Sequence, residues 1–244
     1  MKVYAIIPAR YGSRRFEGKP LAMIAGKPMI QHVFERAAAG AGVDRVVVAT
    51  DDERIRTAVE DFGGEAVMTR TDHLSGTDRL AEAVDILKAA PDDIVVNIQG
   101  DQPAFHPRLI RDIIQPLEDD PALPTTTLAT PLTDPSEAND PNIVKVVFDY
   151  NHRALYFSRA PIPWPRDGGQ TAFYRHIGVY GYRVKFLRRF VKLAHGRLEA
   201  LERLEQLRAL ENDCAIKVIL TDLVSPDVDV PSDIARVEDF LRCE

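Results

Sequence analysis

Four cations and two glycines fall within about a dozen residues in Pro8-Ala9-Arg10-Tyr11-Gly12-Ser13-Arg14-Arg15-Phe16-Glu17-Gly18-Lys19-Pro20-Leu21. Glycines let backbone N–H groups approach a polyanion, while arginine forks and a lysine point charge neutralise phosphate oxygens. The chemistry indicated is the holding of a phosphate chain. A solvated cationic surface loop is the plain alternative, but glycines and prolines interleaved with the cations favour a shaped cradle. The loop is not a Walker A motif, since five residues separate Gly12 from Gly18 and Pro20 stands where a magnesium-binding Ser or Thr belongs. No Gly-x-Gly-x-x-Gly follows it, which excludes the dinucleotide fingerprint as well.

Two further segments offer acids. Val95-Val96-Asn97-Ile98-Gln99-Gly100-Asp101-Gln102-Pro103 ends a strand-like run in a tight turn, so Asp101 is placed to hold a magnesium ion. Pro226-Asp227-Val228-Asp229-Val230-Pro231 offers a second carboxylate from either of its acids. An Asp in a turn bounded by Gly or Pro is often only a turn former. A carboxylate on a strand end facing a phosphate loop, however, is the arrangement expected for metal-assisted phosphoryl chemistry.

These segments must be positioned by the elements around them. Runs rich in β-branched residues recur at Val3–Ile7, Arg45–Ala49, Ile94–Ile98, Ile143–Phe148 and Ile216–Leu220, and their continuous apolar character predicts strands covered on both faces. Helical spacing predicts helices over Met29–Ala39, Glu53–Phe62, Gly76–Ala89 and Leu109–Leu117, with Leu80, Ala83, Val84 and Leu87 sharing one face of the third. The alternation implies a parallel sheet with right-handed crossovers, in which ligands sit at the carboxyl edge. It breaks down after about residue 124, and Thr125 to Arg183 reads as a β-rich excursion built onto the sheet, with Pro161, Pro163 and Pro165 in its middle. Two helices are expected next, over about Lys185–Ala194 and Leu198–Asn212, before a last one from about Ser232. In the second of these, Leu198, Leu201, Leu204, Leu207 and Leu210 repeat every three residues, which predicts a helix wrapped on more than one side, by a partner subunit or by the excursion.

Composition narrows the function classes. With 45% apolar and 28% charged residues in 244, the chain is an ordinary globular one. The net charge of −6 disfavours a general attraction to nucleic acid or an anionic membrane, so any anion site must be a local cluster. No apolar run approaches the roughly 18–20 residues of a membrane helix, and Met1-Lys2-Val3-Tyr4 runs directly into a strand rather than a signal peptide's apolar region, so the expected location is cytoplasmic. Cys214 and Cys243 support neither a disulfide framework nor a zinc site.

The motifs together resemble one family. Pro8-Ala9-Arg10 with Gly18-Lys19-Pro20-Leu21, His73-Leu74-Ser75-Gly76-Thr77-Asp78-Arg79, Gln99-Gly100-Asp101, Tyr156-Phe157-Ser158-Arg159-Ala160, His176-Ile177-Gly178-Val179-Tyr180-Gly181-Tyr182 and Leu204-Glu205-Gln206-Leu207 stand in the order found in 3-deoxy-manno-octulosonate (Kdo) cytidylyltransferases, the CMP-Kdo synthetases. The resemblance spans essentially the whole chain. The first block is shared with relatives such as CMP-sialate synthetases, and the later ones are much more specific. It implies a three-layer α/β/α sandwich with a mostly parallel, Rossmann-like nucleotidyltransferase sheet. Residues 1–244 would form a single domain, with a sugar-binding and dimerisation excursion at about 125–212.

The resemblance further implies that Arg10, Arg15 and Lys19 hold the CTP phosphates, that Ala9 also belongs to the CTP site, that Arg70, Ser75 and Gly76 lie against the cytosine, and that Asp101 and Asp229 bind magnesium. The sugar acid would be held by Gln99, Arg159, His176, Tyr180, Glu205 and Gln206. Lys19, Asp101 and Asp229 are the expected catalytic set, CTP and a 3-deoxy-ulosonic acid the expected substrates, and a homodimer the expected assembly. Read singly, Arg159 is a surface charge, His176 a satisfied strand histidine, Tyr180 a core aromatic and Glu205 a helical partner of Arg208. Two departures from the family pattern are Phe16-Glu17 in place of Leu-Pro and Gln102 in place of Glu. The competing readings are a cytidylyltransferase for sialic acid or 8-amino-Kdo and, from another class, a non-catalytic nucleotide-binding regulator.

Overall fold

In the computed structural model, which describes residues 1–12, 16–166, 172–223 and 226–243, the first strand buries consecutive isoleucines on opposite faces. Ile6 packs into one apolar cluster and Ile7 into another. That is the signature of a strand covered on both sides. The chain runs β1 (Val3–Ala9), a small hairpin β2 (Met23–Ile24) and β3 (Lys27–Pro28), α1 (Met29–Ala38), β4 (Arg45–Thr50), α2 (Glu53–Asp61), β5 (Ala66–Met68), α3 (Gly76–Ile86), β6 (Ile94–Asn97) and α4 (Arg108–Asp119). It continues with β7 (Thr125–Pro131), β8 (Lys145–Phe148), β9 (Ala154–Ser158), β10 (Tyr174–Arg183), α5 (Val184–Phe190), α6 (Arg197–Glu202), α7 (Leu207–Glu211), β11 (Ile216–Leu220) and α8 (Asp233–Cys243).

The central sheet has the order β11-β7-β10-β6-β1-β4-β5, with β8 and β9 branching from β10. Only β10 runs against its two neighbours in that path, so β1, β4, β5, β6, β7 and β11 all point the same way. Helices α1, α2 and α4 cover one face; α3 and α5 cover the other. The expected three-layer α/β/α sandwich with a mostly parallel sheet is therefore present. Its consequence for function is geometric: the segments following β1, β5, β6 and β11 and the amino end of β10 all open on one edge.

Two expectations are corrected. The stretch from Thr125 to Arg183 is not simply built onto the sheet, because β7 and β10 are interior strands of it and only β8 and β9 lie off the main path. Its threonines account for the misreading. Thr125, Thr126 and Thr127 look polar, yet they are buried, and their hydroxyls donate to the carbonyls of Gly181, Ile113 and Val179 at 2.8, 2.9 and 3.0 Å. Nor is Leu198–Asn212 one helix. It divides into α6 and α7 at Arg203, whose left-handed φ of 52° ends the first. Leu204 and Leu207 are buried at the break while Leu201 is 70% exposed, so the three-residue leucine repeat does not mark one helix wrapped on several sides.

Antiparallel β10 reaches the middle of the sheet through a close approach at Gly181. A Cβ there would meet Thr126 Oγ1 at 2.5 Å, Ile113 Cγ2 at 2.6 Å and Leu117 Cδ1 at 2.9 Å. Gly181→Ala is expected to destabilise the protein by about 1–3 kcal/mol through overpacking between β10, β7 and α4. Urea unfolding midpoints check this, and an unchanged midpoint would contradict the packing.

Candidate active site

The turn after β1 is held by its own backbone. Gly18 N–H donates to Tyr11 O at 2.9 Å, and Gly18 takes φ 69°, a conformation that favours glycine. Phe16 packs against the apolar cluster beneath α8. This fold of the turn delivers Lys19, whose ammonium lies 2.8 Å from Asp101 Oδ2 and 3.9 Å from Asp229 Oδ1. Three segments distant in sequence thus meet at one cation. The approach of the last one is secured by the main chain, since Val228 N–H donates to Asp101 O at 3.0 Å.

Pro8, Ala9, Arg10 and Lys19 line a cavity of ≈ 280 Å³ together with Ser75, Gly76, Gln99, Gly100 and Asp101. Ser75 starts α3 with a reciprocal cap: its Oγ accepts from Asp78 N–H at 3.1 Å and its own N–H donates to Asp78 Oδ2 at 3.2 Å. The cavity therefore receives a helix N-terminus, whose partial positive charge favours anions, beside the cations of the β1 turn. Arg79 also lines it, 4% exposed, with its guanidinium donating to Asp51 Oδ2 at 2.7 Å and to Thr69 Oγ1. Sequence reasoning quoted Arg79 within a motif but gave it no role; the signal was a cation one helical turn from the capping serine. Arg70 is placed differently. It borders an adjoining open cleft with His73 and Leu74, its Nε 3.5 Å from Asp72 Oδ1. Arg15 lies outside the described residues.

A second cavity of ≈ 230 Å³ is lined by Thr77, Asn97, Gln99, His176, Tyr180, Glu205 and Gln206. Gln99 borders both cavities and donates from Nε2 to Gly178 O at 3.1 Å. A register shift in the β10–β7 pairing between Ile177 and Tyr180 marks the bulge that brings the His176 and Tyr180 rings to 5.4 Å. Thr77 Oγ1 donates to Glu205 Oε2, so α3 touches the first cavity through Ser75 and the second through Thr77. Arg208, buried, pairs with Glu199 and lies 3.7 Å from Glu205. The structure does not bring Arg159 into this lining: its Nε donates to Glu202 O at 2.8 Å and its Nη1 to Pro141 O at 2.7 Å.

The electrostatics separate the two cavities. Burial raises the Tyr180 phenol above its ordinary value and lowers His176 from 6.5 to about 3, so both are neutral. Thr127 Oγ1 donates to Val179 O and lies 3.0 Å from His176 Nε2, so it accepts from a ring N–H. Near the cations, burial and then the charge of Asp101 push Asp227 up to about 6. Of the two acids in the 226–231 turn, Asp229 faces Lys19 while Asp227 lines a cavity of ≈ 50 Å³ with Gln102. No cluster of three or more metal-ligating side chains occurs among the described residues. Two carboxylates beside a phosphate-type cavity nonetheless suit a hard cation that takes its remaining oxygens from a substrate.

A family model described as cytidylyltransferase matches residues 4–218. The chain belongs to the cytidylyltransferase family. It is 56% identical to the 3-deoxy-manno-octulosonate cytidylyltransferase of Desulfatibacillum aliphaticivorans, over 99% of both chains. It is 54% identical to the 8-amino-3,8-dideoxy-manno-octulosonate cytidylyltransferase of Shewanella pealeana, over 98% of both. A solved structure of CMP:2-keto-3-deoxy-manno-octonic acid synthetase complexed with CTP superposes with a TM-score of 0.95 at 45% identity, covering 100% of this chain and 99% of that one. The cytidylyltransferase fold is thus carried whole, including β8 and β9 and the α6–α7 pair. No helix among the described residues is long and apolar enough to cross a membrane.

The neutral state of His176 has a measurable consequence. Its folded pKa lies below the unfolded value, so as pH falls the unfolded chain takes the proton first, and stability is lost through the window from about 6.5 down toward about 3. Between about pH 7.5 and about pH 5, wild type should lose up to about 2 kcal/mol more stability than His176→Gln. Equal pH slopes in urea unfolding would contradict a buried neutral ring.

Proposed function

We propose that this cytidylyltransferase transfers the CMP group of CTP to Kdo, giving CMP-Kdo and pyrophosphate. The observation that carries this reading is the junction of the two cavities at Gln99, with the Lys19, Asp101 and Asp229 cluster at the phosphate side. A nucleoside triphosphate placed on the cationic side has its α-phosphorus toward Gln99. A polyhydroxylated acid in the second cavity then presents its anomeric hydroxyl to that phosphorus. The hydroxyl oxygen forms the new P–O bond, the bond to the β-phosphate oxygen breaks, pyrophosphate departs, and the hydroxyl proton is released. Lys19 and Arg10 stabilise charge on the leaving phosphates, Ser75 and Gly76 at the start of α3 lie on the nucleoside side, and the rest of the acceleration is positioning.

Asp101 and Asp229 would hold a magnesium ion, which neutralises charge on the triphosphate when bound. The two carboxylates fit that ion by number and type, since magnesium commonly takes one or two carboxylates plus substrate phosphates. The near-equal identity to a Kdo enzyme and to an 8-amino-Kdo enzyme supports a second reading in which the acceptor is the amino sugar. Arg159 is assigned to the acceptor's carboxylate by the family resemblance alone. Exposed Leu155 on β9 and Leu201 on α6, elements joined by the Ser158 to Glu202 hydrogen bond of 2.6 Å, support a homodimer that covers them. A cytoplasmic enzyme feeding lipopolysaccharide or capsule assembly completes the reading.

Pyrophosphate release with CTP, UTP and ATP against Kdo, 8-amino-Kdo and sialic acid tests it. Turnover is expected with CTP and Kdo, and CTP binding without turnover on any acid would overturn it in favour of a regulator. In the same assay Asp101→Asn should lose at least about a hundredfold in rate, because an amide keeps the shape but not the charge that binds a hard cation. Near-normal turnover of that variant would remove Asp101 from the metal site.

A further inference from the structure

Asn97 is the last residue of β6 and is 3% exposed. Side chains alternate between faces along a strand. On one face β6 sends Val95 into the apolar cluster that includes Tyr4, Tyr180 and Tyr182, while Val96 and Ile98 enter the other cluster. The alternation would continue with an apolar side chain at position 97, and the chain places an amide there. Its Oδ1 is buried and has no hydrogen-bond partner among the described residues. The same holds for the hydroxyl of Tyr180, which stands opposite Asn97 in the β10–β6 register.

Buried amides and phenols are nearly always hydrogen-bonded, so two orphans facing one another across a strand pair need an explanation. Both residues line the ≈ 230 Å³ cavity that also contains Gln99 and Glu205. The third buried orphan, Gln102 Oε1, lies in the separate ≈ 50 Å³ cavity beside Asp227 and has no part in this argument.

We propose that Asn97 is a further substrate-binding residue, its Oδ1 accepting a hydrogen bond from a hydroxyl of the sugar acid in this cavity. The inference rests on the sugar-acid reading given above and deepens it. A carbonyl oxygen can only accept, so the group it meets must carry O–H or N–H. Tyr180, protonated because burial raises its phenol, supplies a hydroxyl that donates to the neighbouring sugar oxygen. An acceptor and a donor side by side on adjacent strands match consecutive hydroxyls of a polyol. Neither group is charged, so what they select is hydroxylation and not phosphate.

The test compares wild type with Asn97→Leu and Asn97→Ala for KM of the sugar acid, KM of CTP and thermal midpoint. Replacing an unpartnered buried acceptor by an apolar group of similar size leaves stability unchanged or raises it, so Asn97→Leu should melt no lower than wild type. KM for the sugar should rise about ten- to a hundredfold in both variants, with KM for CTP within about twofold. An unchanged sugar KM in either folded variant overturns the proposal. A lowered midpoint with unchanged sugar KM overturns it in favour of an internal water bound for structure. Wild-type turnover with Kdo is read in the same series: if another sugar acid is the one accepted, the reading of the acceptor fails and the variants are compared on that acid. Inactivity of the wild type with every acid overturns both.

Discussion

The ammonium of Lys19, shared between Asp101 and Asp229, is the point at which the fold and the chemistry meet. Its three members come from the segments after β1, β6 and β11, and they converge only because those strands run in the same direction within one sheet. The Val228 to Asp101 backbone hydrogen bond then fixes the last segment to the β6 turn, independently of any side-chain charge. A lone lysine among carboxylates on an open surface would contribute little. Here Lys19 is largely enclosed, with 14% of its side chain exposed, and it borders a cavity that also contains Arg10 and the N-terminus of α3. The arrangement puts both charge signs beside one cavity, as the proposed metal-bearing triphosphate would need.

The second constraint is the adjacency of a cation-lined cavity and one lined mainly by uncharged polar groups, with Glu205 at its border. Gln99 separates them by a single side chain, and α3 borders both. The Thr77 to Glu205 hydrogen bond therefore links the helix whose N-terminus lines the first cavity to the loop that borders the second. Arg208 holds that loop from behind through Glu199 and Glu205, with Phe190 under its guanidinium at 4.9 Å. Positioning of this kind is what a transfer between two bound substrates requires, since most of the barrier is met by alignment.

Much of this was legible in the sequence where a local signal matched the long-range outcome. Strands β1, β4, β6 and β11 were readable because a parallel strand buried on both faces is apolar throughout. The helix from Gly76 and the turn before Lys19 were readable because apolar residues at helical spacing and interleaved glycines carry their own local geometry. Strands β7 and β10 were not placed in the sheet because their pairing is decided by distant partners, and because the threonines of β7 meet buried carbonyls that no local pattern reveals. The break at Arg203 was hidden by its residue type, since a left-handed φ is ordinarily announced by Gly or Asn. Arg159 shows the same limit for a site residue: read singly it is only a surface charge, and nothing local announces that its Nε and Nη1 donate to the Glu202 and Pro141 carbonyls. Asn97 went unread for the opposite reason, because an amide at a strand end looks like the start of a turn.

The central claim is that the carboxylates around Lys19 join a metal ion to a bound nucleoside triphosphate. Its most direct measurement is calorimetric titration of CTP into wild type and Asp229→Asn, each with and without magnesium and without any sugar. The account predicts that magnesium strengthens CTP binding to wild type and has little or no such effect on Asp229→Asn. An identical magnesium dependence in the two proteins would contradict it.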